Sequence, residues 1–241
     1  MSADPKRLTF DEERLAEDFL LEAFRVLFDT GNPAKLGIRE LDLQGKSIQD
    51  QAAAIFAARQ RALRKRMELA RMAVLLTAIG VEAAANTYIA VMLPDHVEPL
   101  DDLKTINKLL VAPALATGTP LFFEGTEPIG QLRTLFKLRN RIVHPKVGKH
   151  AIVGEPGIAD YTPRAAAECL IAAARAIGTL HEALQRDDDQ RDSAPAIILD
   201  HRDELRELSR KWTDKLPVIR KRPPRLRKRP PRVRKRPSPD S

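Results

Sequence analysis

Along most of this chain apolar residues recur three and four positions apart, the spacing of one buried helix face rather than the alternation of a strand. A first helix is expected from Thr9, where "TFDE" offers a capping box of Thr9 with Glu12, through "ERLAEDFLLEAFRVLF" to "DTGNP". Residues 34–46, "AKLGIRELDLQGK", alternate weakly and fit either a short strand or a loop. Ser47 opens a proline-free run to Leu93 whose one glycine is Gly80, which reads as one long helix or two stacked end to end. Beyond it "LPDHVEP" reads as a connector, "LDDLKTINKLL" as a helix, "APALATGTPLFFEGTEP" as loop and residues 128–144 as a further helix. After the loop "PKVGKHAIVGEPGIADY", Thr162 as N-cap and Pro163 at the first helical position open another helix. "DDDQRDSAP" then separates it from a charged helix around Leu199 to Lys215.

These elements make an all-α bundle of five or six helices. The 241 residues are 43% hydrophobic and 31% charged, enough for one sizeable core. A single cysteine, Cys169, excludes a disulfide framework and a cysteine-based zinc site; in "AAAECLIAAARAIGTL" it reads as a small core residue. The five histidines show no HExxH and no paired ligand spacing, so neither metal nor cofactor is expected. With no apolar stretch near ~18 residues and no signal-peptide region in "MSADPKRLTFDEER", a cytoplasmic protein without a membrane segment is expected.

The net charge of +8 is uneven. Eleven of the 41 bases and one of the 33 acids lie in residues 218–241, leaving 30 bases and 32 acids in the first 217 residues. The basic end repeats as "RKRPPRL", "RKRPPRV" and "RKRPSPD", and supplies Arg220, Lys221, Arg222, Arg225, Arg227, Lys228, Arg229, Arg232, Arg234, Lys235 and Arg236. Its proline pairs forbid helix and nothing in it can build a core, so a disordered, polyproline-like tail that attracts polyphosphates is expected. The tail has no aromatic residue for stacking on bases, which argues against sequence reading. A solubilising terminus without a specific target would have the same composition. The division expected is an N-terminal helix and connector (1–46), a helical bundle (47–217) and the tail (218–241).

One stretch breaks the hydrophobic pattern. In "LFKLRNRIVHPK", Leu132, Leu135, Phe136, Ile142 and Val143 recur at helical spacing, and Arg139 falls among them. A buried guanidinium is costly unless a carboxylate or phosphate satisfies it. Asn140 lies four residues before His144, on one face, where its amide can orient the imidazole. Pro145 disfavours helical geometry at His144 and puts that ring at a helix end. In the long helix Glu82 and Asn86 fall in the stripe of Leu75, Ala78, Ile79, Ile89 and Leu93, so a polar centre shared with Arg139 is expected. A structural ion pair or a solvated bundle end accounts for the same pattern. Arg175 and His181 form a similar pair one residue wider, with Ala176 after the arginine and no break after the histidine.

Arg139-Asn140 with a short spacer and then His144, at the end of a late helix, resembles the signature of the HEPN domains. "IGVEAAANTYI" is similar to the helix beside that motif in many members, and the resemblance covers roughly residues 47–185. It implies a helical homodimer with two motifs across one cleft, found in toxin–antitoxin and phage-defence systems. It further implies RNA cleavage without a metal, by attack of the 2′-hydroxyl on the neighbouring phosphate. His144 would transfer protons, Arg139 would hold the phosphate and its developing charge, and Asn140 would position the histidine or the RNA. An antitoxin or other regulatory protein is an implied partner. One subgroup controlled through a tyrosine two residues after the histidine departs here, because that position is Lys146. The other function the sequence admits is a non-catalytic helical dimer that binds nucleic acid or a partner protein.

Overall fold

The run from Ser47 to Leu93 forms one unbroken helix, and the rest of the chain is arranged on it. A computed structural model describes residues 10–37, 41, 43–144, 162–184 and 193–210. Among these are eight α-helices and no strand: α1 (Phe10–Asp29), α2 (Ile48–Met92), α3 (Val97–Asp101), α4 (Thr105–Thr117), α5 (Ile129–Val143), α6 (Pro163–Ala183), α7 (Ala194–Asp200) and α8 (Arg202–Arg210). The all-α class holds. The expected Thr9 cap and the basic tail lie outside the described residues.

Eight helices rather than five or six result from two short pieces. The stretch read as a connector and a helix start splits into a 3₁₀ turn (Pro94–His96), α3 and α4, because Lys104 adopts an extended backbone, ψ 143°, before α4. The charged last helix is divided by His201, whose Nδ1 lies 2.9 Å from the Ile197 carbonyl. The expected loop at "APALATGTP" is also corrected, since α4 runs through Pro113 to Thr117. Buried Leu109 and Ala112 hold that turn in the core, and Gly118, at φ 75°, ends it in the left-handed region that favours glycine. The described part of 34–46 is made of turns with a lone bridge residue at Leu41.

The cap expected at Thr162 is present, and Ser47, which opens the long run, is a cap as well. Ser47 Oγ accepts from the Asp50 amide at 3.1 Å, and Thr162 Oγ1 accepts from the Ala165 amide at 3.1 Å. α2 buries Val74, Ala78, Val81, Ala85 and Tyr88 on one face, against Leu20, Ala23 and Leu27 of α1 and Leu170, Ala174 and Ile177 of α6. Each fully buried Leu or Ile contributes roughly 1.5–3 kcal/mol over leaving it in water. Gly80 marks the α1–α2 crossing: a Cβ there would lie 3.1 Å from the Ala16 carbonyl oxygen. Gly31 and Arg66 both meet Leu208, so α1 and α2 run antiparallel.

α8 is fixed by two arginines. Arg206 grips Glu168 of α6 with two hydrogen bonds of 3.0 Å each. Arg66, only 4% exposed, donates to the Leu208 carbonyl at 2.9 Å, and burial pulls its pKa down to about 10. Cys169 is buried as expected, and burial, with Glu168 beside it, pushes its thiol up to about 12.

The expected absence of a long apolar stretch is corrected too. An 18-residue window of α2 is long and apolar enough to cross a membrane by length and composition alone, although half of it is buried in the bundle. Those are equally the marks of a core helix.

Candidate functional site at the end of α5

α5 buries Ile129, Leu132, Leu135 and Leu138, a row that holds it against α6 and α2. Leu138 takes the core position, while Phe136, Arg139 and Ile142 are half-buried and Val143 is exposed. Arg139 therefore rides the rim of the apolar stripe, where its guanidinium reaches water, and a buried partner is not required. The buried row advances in steps of three and drifts round the helix, and so leaves Arg139 at the edge.

The three motif residues fall within the last six positions of α5 and its C-cap. Arg139 Nη1 donates to Asn140 Oδ1 at 3.1 Å. The backbone amide of His144 donates to the Asn140 carbonyl at 2.8 Å, the last helical bond, and His144 then leaves helical geometry at φ −124° and ψ 71°. Asn140 and His144 are both exposed. The Asn140 oxygen accepts from Arg139, and among the described residues no side-chain hydrogen bond joins Asn140 to the imidazole. A cation able to meet a phosphate and an imidazole able to move a proton thus both lie near the end of α5.

The polar centre expected between Arg139 and the long helix does not form as drawn. Glu82 and Asn86 are exposed, on the outer side of α2, and Leu75 and Ile79 lie on that side with them. The inner face uses Val74, Ala78, Val81, Ala85 and Tyr88 instead, because residues 72–92 of α2 are apolar nearly all round and their sequence does not mark one side as buried. Asn86 Oδ1 accepts from Lys108 Nζ at 2.8 Å, and Asp101 Oδ1 takes the same ammonium at 3.2 Å. Lys108 is only 4% exposed. Sequence reasoning passed over it, although Lys108 stands beside Ile106 and Leu109 in the buried row of α4, the same kind of signal that singled out Arg139.

Glu82, Asn86, Asp101 and Lys108 line a groove of about 540 Å³, together with Ile79, Ala83 and Ala90 of α2, Leu15 of α1 and Val97 of α3. No α5 residue lines it. Arg175 is exposed, and His181 Nδ1 lies 3.6 Å from Glu17 Oε1 at the contact of α6 with α1. Tyr88 Oη is buried with no hydrogen-bond partner among the described residues, and burial pushes its pKa up. Among the described residues no three His, Cys, Asp or Glu side chains gather as metal ligands. Comparison with family models, curated proteins and solved structures found no match.

Proposed function

We propose that the chain is an endoribonuclease of HEPN type that cleaves RNA by 2′-hydroxyl attack without a metal, acting in the cytoplasm as a toxin or phage-defence effector. The observation that carries this reading is the end of α5, where the rim cation Arg139, its hydrogen-bond partner Asn140 and the exposed His144 fall within six residues. In the reaction the 2′-oxygen bonds to phosphorus and the 5′-oxygen leaves. The 2′-hydroxyl proton is taken up by a base and a proton is delivered to the leaving oxygen, giving a cyclic phosphate and a free 5′-hydroxyl. His144 serves in this proton transfer. Arg139 neutralises the phosphorane-like charge, and Asn140 keeps the guanidinium aimed. Two copies bring two such helix ends to one RNA, and an antitoxin or other regulatory protein restrains them. Bases of the 218–241 tail hold RNA by counterion release.

The test is cleavage of single-stranded RNA in EDTA. Cyclic-phosphate ends are expected from the wild type and a fall of about 10²–10⁴ in turnover from His144→Ala. Undiminished cleavage by that variant, or a need for a divalent metal, removes the proposal. One observation favours a non-catalytic helical dimer instead: Glu82 does not converge on Arg139, whose hydrogen bond is to Asn140. Under that reading RNA binds and is never cut.

A further inference from the structure

The second half of α2 is apolar on both sides, yet the fold covers one. On the outer side Met72 is 50% and Ile79 43% exposed, and Leu75 is half-buried between them. They form a ridge of large side chains at i, i+3 and i+7. The same side continues as Ala83, Asn86 and Ala90, again at i, i+3 and i+7, and these are small or polar. This second stretch is the floor of the 540 Å³ groove, walled by Leu15 of α1 and Val97 of α3, themselves 45% and 41% exposed. A ridge and a trough therefore lie end to end on one helix face. An apolar face of this extent on a helix otherwise packed in a core is the mark of a covering partner.

The order of large and small residues says which partner. Turn a second copy of α2 antiparallel against the outer side, with the two-fold axis level with position 81 along the helix. Met72 then meets Ala90 of the second copy, Leu75 falls within one residue of its Asn86, and Ile79 meets its Ala83. Met72 and Ile79 each face an alanine twice over, the self-complementarity of an isologous two-fold contact. A lipid surface would require no such alternation. We propose that the outer face of α2 is the surface through which two copies of this chain pair, with the Met72–Ile79 ridge of each filling the groove of the other. The Lys108 ammonium beneath each groove, tied to Asn86 and Asp101, adds polar contact away from the axis, and the two Glu82 carboxylates, one position from the axis, flank the apolar contact on one side.

The pairing rests on the homodimer reading above only for the existence of two copies, and not on the chemistry at His144. Sedimentation of the full chain should show a dimer at micromolar concentration. Ile79→Arg should raise its Kd by about 100-fold or more while helicity stays unchanged, because a long charged side chain then replaces the isoleucine that packs on Ala83 of the second copy. In a Cys169→Ala background, Met72→Cys combined with Ala90→Cys should give a disulfide-linked dimer on oxidation, and neither substitution alone should. That pair of controls also serves if Ile79→Arg fails to fold. A monomer at about 100 µM, a dimer indifferent to Ile79→Arg, or cross-linking by the single Met72→Cys variant overturns the proposal. So does Ile79-dependent binding to phosphatidylcholine–phosphatidylglycerol vesicles by a monomeric chain. A cross-linked dimer that leaves RNA intact keeps the pairing and removes the ribonuclease reading. A monomer that cuts RNA through His144 does the reverse.

Discussion

Two histidines stand after an arginine at almost the same distance in this chain, and the fold treats them oppositely. His181 lies inside α6, half-buried, with its Nδ1 3.6 Å from Glu17 of α1. Glu17 in turn accepts from the Ala194 amide at the start of α7 at 3.2 Å, so that histidine belongs to a knot of three helices. His144 sits where α5 stops, exposed, its backbone spent on the last helical bond. A knot of that kind leaves an imidazole no room to approach a substrate, whereas a helix end does. The cause is the residue on the C-terminal side of each histidine. Glu182 and Ala183 continue α6, whereas Pro145 cannot extend a helix beyond His144.

The largest effect that tests this contrast is on turnover. His144→Ala should cut RNA cleavage by about 10²–10⁴, and His181→Ala should leave it within a few-fold of wild type. Equal losses in both variants, measured on saturating RNA, would collapse the distinction.

The distinction is legible in the sequence because prolines and caps act locally. Thr162 with Pro163, Ser47 before its long run and Pro145 after His144 mark where helices begin and end, and the first two are hydrogen-bonded caps in the fold. Which side of a helix faces in is not legible in the same way. The second half of α2 is apolar round most of its circumference, so periodicity puts Glu82 and Asn86 on the inner stripe, and tertiary packing puts them outside. Arg139 is displaced by one position for a related reason: Leu138 and Arg139 are adjacent on the helix rim, and only packing against α6 decides between them. The continuation of α4 through Pro113 is hidden too, since burial of Leu109 and Ala112 overrides a local breaker.

Next in size is the anchoring of α5. Leu135 is fully buried, and Leu135→Ala should cost about 2–5 kcal/mol of unfolding free energy by denaturant titration. A matching truncation at exposed Val143 should cost under about 0.5 kcal/mol, because the helix end itself contributes little to the core. If Val143→Ala proved as costly as Leu135→Ala, the end of α5 would be part of the packed body.

A smaller effect separates the members of the α6 knot. Glu17 serves both His181 and the Ala194 amide, so Glu17→Ala should destabilise more than His181→Ala, by about 1 kcal/mol. The double variant should cost less than the sum of the two, since both remove the same contact. Strict additivity in thermal or chemical melts would mean that the 3.6 Å approach carries no energy.

The smallest effect is a pH dependence on the same helix. Cys169 is buried among the apolar residues of α6, and its pKa is raised from about 9 to about 12, first by burial and then by Glu168. A raised value in the folded state means that the unfolded chain releases the thiol proton first as pH rises. The unfolded state then binds fewer protons, and stability falls with pH above about 9. From about pH 10 Arg66 acts in the opposite sense, its folded-state value being depressed, so the clean window is pH 9 to 10. Within it, Cys169→Ala should show a shallower loss of stability than the wild type, whatever the cavity it leaves costs at neutral pH. The folded wild type should also resist alkylation by iodoacetamide at about pH 8, reacting at a rate set by opening of the bundle. Identical pH slopes in the two proteins, together with fast alkylation of the folded chain, would place Cys169 at a mobile surface and remove α6 as the rigid side of the comparison.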